Sequence, residues 1–187
     1  DGFNNLTDIN GHFEITSSNT LTKISGFNNL VNAKSVTIAL NPILTDVGGF
    51  SKLNRVFESL EIGNSPGIQT ITGFENLQLI GGELNISKNP VLTRMPSFNK
   101  VQTIGEDLNL TLNPILEEAI GFEKLVSIGN DLNIENVKII RGFEQLRTID
   151  RFFDIRGEGV EEVPNFPLLE TVGAAFILVV PLLKKKP

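Results

Sequence analysis

The chain has 187 residues, a formal net charge of -6 and a pI near 4.9, with Lys184-Lys185-Lys186 as its one basic run. That balance argues against nucleic acid and anionic membrane surfaces, both of which attract Lys- and Arg-rich faces. The absence of cysteine excludes disulfides, thiolate zinc sites and thiol nucleophiles together, without fixing the compartment.

Asp1-Gly2-Phe3 opens inside a repeating unit, which reads as a mature or excised piece of a longer protein. Phenylalanine then recurs at Phe3, Phe27, Phe50, Phe74, Phe98, Phe122, Phe143 and Phe166, with spacings of 24, 23, 24, 24, 24, 21 and 23. Self-similarity at such a period is the signature of a solenoid. Three and six residues after each Phe stand apolar residues, as in Leu77 and Ile80 or Leu125 and Ile128. A second apolar pair stands two apart, from Phe13 and Ile15 through Leu84 and Ile86 to Phe176 and Leu178, with a one-residue slip in the second unit. Spacing of two is a strand with one buried face. A third pair, such as Leu92 and Met95, precedes the next Phe, which gives about seven inward positions per turn. One turn cannot bury them, but turns stacked about 4.8 Å apart line them into continuous apolar columns. The expected fold is a mainly β, parallel β-solenoid of about eight rungs of 21–24 residues, a single domain over residues 1–187.

The first rung carries the sole histidine, His12, read as an exposed strand residue and not as a metal ligand. Glycine precedes the Phe at Gly2, Gly26, Gly49, Gly73, Gly121 and Gly142, which fits positive φ or close approach. The seventh position after Phe reads Gly81, Gly105, Gly129 and Gly173 and is taken as another turn signature. Asn19, Asn41, Asn64, Asn89, Asn113 and Asn136 are read as an amide ladder satisfying turn backbone from rung to rung. Rungs four to six share Ile-Gly-x-x-Leu-Asn-Ile/Leu, from Ile80, Ile104 and Ile128, whereas rung six loses three residues before Phe143 and should pinch. Residues 174–187 form a terminal strand or cap whose outer face is covered, since ten apolar residues are too few to span a bilayer, which needs about 20.

Residues between and flanking the buried strand pairs face outward and align as columns. Glu83, Asp107 and Asp131 make an acidic column, Asn85, Asn109 and Asn133 an amide column beside it, and Phe152 and Asp154 continue the strip in rung seven. These eight residues are the candidate binding strip; no catalytic residue, metal ligand or cofactor is expected. Asn5-Leu6-Thr7, Asn85-Ile86-Ser87 and Asn109-Leu110-Thr111 match the N-glycosylation pattern, and two of these sequons lie on the strip itself.

Gly-Phe-Glu-Asn-Leu at 73–77, Ile-Gly-Gly-Glu-Leu-Asn-Ile at 80–86 and Asn-Pro-Val-Leu at 89–92 carry a resemblance that covers essentially the whole chain. In these phrases the chain resembles the receptor L domain and related leucine-rich-repeat surface proteins. The resemblance implies a right-handed solenoid and an extracellular or cell-surface recognition role. Animal receptors pair such domains with cysteine-rich modules, so this chain looks more like the Cys-free bacterial or protist arrays. The shared motif is core and corner, and no ligand contacts transfer.

The function expected is therefore a non-enzymatic recognition or adhesion module that binds a protein or glycan through an exposed sheet face, with no membrane span. The alternatives are a polysaccharide-acting enzyme on a parallel β-helix, or a structural spacer of a longer surface protein. An enzyme needs acids converging in a loop-walled cleft, and turns of 21–24 residues leave little loop.

Overall fold

The computed structural model describes residues 2–180; the terminal lysines and the end of the expected cap lie outside the described residues. The described residues contain strands and turns only, and no helix among them is long and apolar enough to cross a membrane. Every strand pairing is parallel and joins one rung to the next, so the chain is a β-solenoid. The main strand of each rung runs Asp8–Thr16, Asn32–Ala39, Leu60–Gly63, Leu84–Ser87, Leu108–Thr111, Leu132–Glu135, Phe153–Arg156 and Phe176–Val179.

Registry is what stacks like residues on like. Leu84, Leu108, Leu132, Phe153 and Phe176 pair in succession, as do Ile86, Leu110, Ile134, Ile155 and Leu178. A second face stacks Val56, Ile80, Ile104, Ile128, Ile149 and Val172 on two-residue strands. Nearly all of these side chains are fully buried until the last rung. All eight phenylalanines of the repeat lie over one another, with centroids 5.0–6.4 Å apart. The rings are buried from Phe27 to Phe143, while Phe3 is 57% exposed at one end of the column. At the other end Phe176, Leu178 and Val179 are exposed among the described residues, and the expected cover of the terminal strand falls on residues outside them.

The slip in rung two has a structural meaning. Two residues separate Ala33 from Val36 where later rungs have three, so rung two makes no corner there and Asn32–Ala39 runs as one strand that joins both faces. Rung one keeps the extra residue and accommodates it as a bulge between Ile9 and His12. His12 is exposed, as expected, with Nδ1 2.6 Å from Ser35 Oγ.

The third face is interrupted. Lys23–Ile24, Asp46–Val47 and Thr70–Ile71 form one stack, and Glu118–Ala119 pairs separately with Ile139–Ile140. Between them stands Pro96, at the position where Gly48, Thr72 and Arg141 each donate an N–H to the preceding rung. Proline has no N–H, and the ladder stops. Ser97 follows in place of the usual glycine and lacks its positive φ, and the Phe74–Phe98 pair beside it is the widest of the column at 6.4 Å.

Two corner expectations need correction. Gly105 has no positive φ; a Cβ there would overlap the Gly81 carbonyl oxygen of the rung below, so close approach selects the glycine, not turn conformation. The amide ladder exists, but one position over from half of its expected members. Asn41, Asn89 and Asn113 are fully buried, and Asn41 Nδ2, Asn89 Nδ2 and Asn113 Nδ2 donate to the carbonyls of Ile15, Ile62 and Ile86 in the preceding rung. Asn41 Oδ1 accepts from Ser18 N–H, and Asn113 Oδ1 accepts from Asn89 N–H. Ser18 and Ser65 occupy the ladder in rungs one and three. Asn64 and Asn136 sit one residue earlier, in a left-handed column with Ser17, Leu40, Lys88 and Leu112, and Asn19 is exposed on the other side. Asn is favoured in both places for different reasons, which is why composition alone merged them. Rung six ends the ladder, since its missing residues are the Asn-Pro-Ile of the corner; both flanking faces stay in register.

Leu108→Asp should abolish cooperative unfolding of the central rungs, because a charge enters a fully buried apolar column without a partner; Leu108→Ala should cost about 2–5 kcal/mol by denaturant titration. Adjacent ladder positions should respond with opposite sign. Asn113→Ala should cost about 1–3 kcal/mol by leaving buried backbone groups unpaired, whereas Leu112→Asn should stabilise by up to about 1 kcal/mol by relieving a left-handed leucine.

Candidate functional site

The candidate strip is one continuous surface on the main strand face. Thr37, Glu61, Asn85, Asn109, Asn133 and Asp154 follow one another in strict register. Glu83, Asp107, Asp131 and Phe152 stand just before the strand in their own column. All eight predicted residues are therefore brought to one face, but none is freely exposed. Each is half-buried, and the side chains of Asp131 and Asp154 are only 20% and 16% exposed.

The acidic column is a set of backbone caps. Asp131 N–H donates to Asp107 Oδ1 at 3.0 Å, and Phe152 N–H donates to Asp131 Oδ1 at 3.1 Å. In rung three Ser59 Oγ does the same for Glu83 N–H. These amides leave the corner before the parallel ladder begins, so a short side-chain acceptor from the rung below supplies the partner they would otherwise lack. Charge–amide hydrogen bonds of this kind are stronger than neutral ones, and they engage carboxylates that the sequence left looking solvated. At the end of the column Arg151 Nε lies 3.9 Å from Asp131 Oδ1, and its guanidinium carbon stands 5.3 Å from the centre of the Phe152 ring.

The amide column is a polarised line. Asn133 Nδ2 donates to Asn109 Oδ1 at 2.7 Å, and Asn109 Nδ2 donates to Glu83 Oε1 at 2.7 Å. The line ends on a carboxylate below and on Asn133 Oδ1 above. Asn85 lies outside the line, with Oδ1 buried and unpartnered. Asp154 pairs with Arg156 through both guanidinium arms. These bonds raise the Arg156 pKa further above its ordinary value, so the guanidinium stays cationic.

Over the upper end of the line lies a shallow groove of about 270 Å³, lined by Asn109, Thr111, Asn133, Glu135, Asp154 and Arg156. Thr111, Glu135 and Arg156 line the groove without being among the eight candidate residues, although alternation already points them outward from the same strands. The period-two rule places Glu135 and Arg156 on the same face as Asn133 and Asp154, and that is the signal that finds them. The sequon at Asn109 falls within this network and that at Asn85 lies beside it on the same strand face, whereas Asn5 is exposed in the first turn. Among the described residues no group of three or more His, Cys, Asp or Glu side chains is placed to hold a metal ion.

Comparison of the chain with protein-family models, with curated proteins and with solved structures yields no match.

Asp107→Asn should change stability by less than about 0.5 kcal/mol, since an amide oxygen still accepts the Asp131 N–H, while Asp107→Ala should cost about 1 kcal/mol. Thermal melts of the two variants separate the acceptor from the charge.

Proposed function

We propose that this solenoid is a non-enzymatic recognition or adhesion module, of extracellular or cell-surface type, that presents the main strand face of rungs four to seven to a protein or glycan ligand. The observation that carries this reading is the hydrogen-bonded line Glu83–Asn109–Asn133, held in register by the sheet and opening at its upper end into a groove. Polar groups fixed on a rigid sheet lose little entropy when a ligand binds them, which is how a flat face gains affinity. The resemblance to receptor L domains and leucine-rich-repeat surface proteins supports the same role and the same compartment.

The four carboxylates of the candidate strip support binding over catalysis. Asp107 and Asp131 accept backbone N–H groups, Glu83 accepts from Asn109 and Asp154 is held by Arg156, so each is committed to a structural bond. General acid or base work asks for a carboxylate that is free to exchange a proton with a substrate.

The test is capture of ligands on the immobilised chain, from a protein extract and from a glycan array, compared with the Asn109→Ala/Asn133→Ala double variant. Loss of at least about tenfold in affinity, with the melting temperature held within a few degrees, is the expected result. Ligands retained equally by the double variant would place recognition elsewhere, and turnover of a polysaccharide abolished by Asp154→Asn would replace the reading with an enzyme.

A further inference from the structure

We infer that the groove over rungs five to seven takes a neutral, extended glycan chain lying along the solenoid axis. This rests on the recognition reading above and narrows it to one class of ligand.

Three observations select the class. The first is the step of the site. Hydrogen-bonding groups recur once per rung along the column Asn109, Asn133, Asp154, and parallel strands stack about 4.8 Å apart. A pyranose ring in an extended β-1,4 chain advances by close to that same step and turns over at each linkage, so the sugars keep pace with the rungs and like-facing edges return at every second rung. An extended peptide advances about 3.3 Å per residue and presents like-facing groups at twice that distance, which falls out of phase within two rungs.

The second observation is the inventory of free hydrogen-bonding capacity. Each of Asn109 and Asn133 spends one amide hydrogen on the line and keeps the other, and Asn133 Oδ1 ends the line as an acceptor. Glu135 adds the carboxylate oxygen that Asn136 Nδ2 does not occupy, Thr111 a hydroxyl and Arg156 the donors it does not give to Asp154. Donors and acceptors therefore alternate on one half-buried surface, and vicinal hydroxyls, each both donor and acceptor, match that alternation. Phe152 supplies an apolar ring beside the polar columns at rung seven, where the face of a sugar could replace the Arg151 guanidinium now standing over it.

The third observation is charge. Glu135 and Asp154 oppose one Arg156 within the groove, and the chain as a whole carries -6. A uronate, sulfated or phosphorylated chain would enter against that field, whereas an uncharged chain is indifferent to it.

The experiment is a calorimetric or NMR titration of the chain with cellohexaose, mannohexaose, cellobiose and hexagalacturonate. The expected order is a neutral hexasaccharide at least about tenfold tighter than both hexagalacturonate and cellobiose, because the site spans three rungs. Asn133→Ala should weaken the neutral hexasaccharide about tenfold without moving the melting temperature by more than a few degrees. Glu135→Gln should narrow the discrimination against hexagalacturonate. Equal or tighter binding of hexagalacturonate overturns the inference. So does failure of both neutral hexasaccharides to bind while a captured protein ligand is lost with Asn133→Ala, an outcome that leaves the recognition reading standing. If captured ligands ignore both the Asn109 and Asn133 substitutions, the recognition reading falls as well.

Discussion

Parallel pairing at a single strand step is the constraint from which the rest follows. Each residue in a face has the same neighbour above and below, so whatever a position carries must tolerate its own likeness one rung away. Apolar side chains meet that condition easily, and the column of phenylalanines meets it by offset stacking, with rings 5.0–6.4 Å apart. Carbonyl oxygens meet it only if the residue above has no Cβ, which is why Gly105 and Gly129 stand over one another. Length changes are taken up at corners or, in rung one, by a strand bulge: rung six drops three residues from the corner, yet Leu132 and Ile140 still pair in register on either side.

The core was legible in the sequence because burial in a solenoid is periodic, and a period is visible without knowing any partner. Phe50, Leu53, Val56, Leu60 and Ile62 could be placed inside from spacing alone, and all are fully buried. Partnership was not legible. Asn113 and Asn136 look alike in the sequence, yet one bridges buried backbone and the other adopts a left-handed turn conformation, because a one-residue offset separates the two needs. The strip shows the same division. Alternation placed Asn109, Asn133 and Asp154 on a common face, but only the contacts reveal that Asp107 and Asp131 hold the amides of the next rung and that Arg156 completes the groove.

Those caps bear on the recognition role proposed for the face. A residue that enters the strand from a corner brings an N–H without a ladder partner, and the rung below answers with serine or aspartate. The result is a surface whose polar side chains are fixed by its own construction, half-buried and mutually bonded, before any ligand arrives. Pre-organisation favours binding of a ligand whose groups are spaced like the rungs.

A perfectly uniform column cannot tell a ligand where along the axis to stop, since every rung offers the same contacts. Rungs four to six come close to that limit, with Leu-Asn-Ile or Leu-Asn-Leu at each strand. Rung seven breaks it: Asp gives way to Phe152, Asn to Asp154, and Glu135 is followed in register by Arg156. Ion pairs appear there as well, joining Arg151 to Asp131 and Arg156 to Asp154. Sequence departures of this kind weaken the repeat without improving the core, because Phe153 and Ile155 already fill the inward positions. They give the face an end, and the groove lies where the uniform columns meet it. In a repeat protein, position along the axis has to be written in the exceptions, and here the exceptions and the groove coincide.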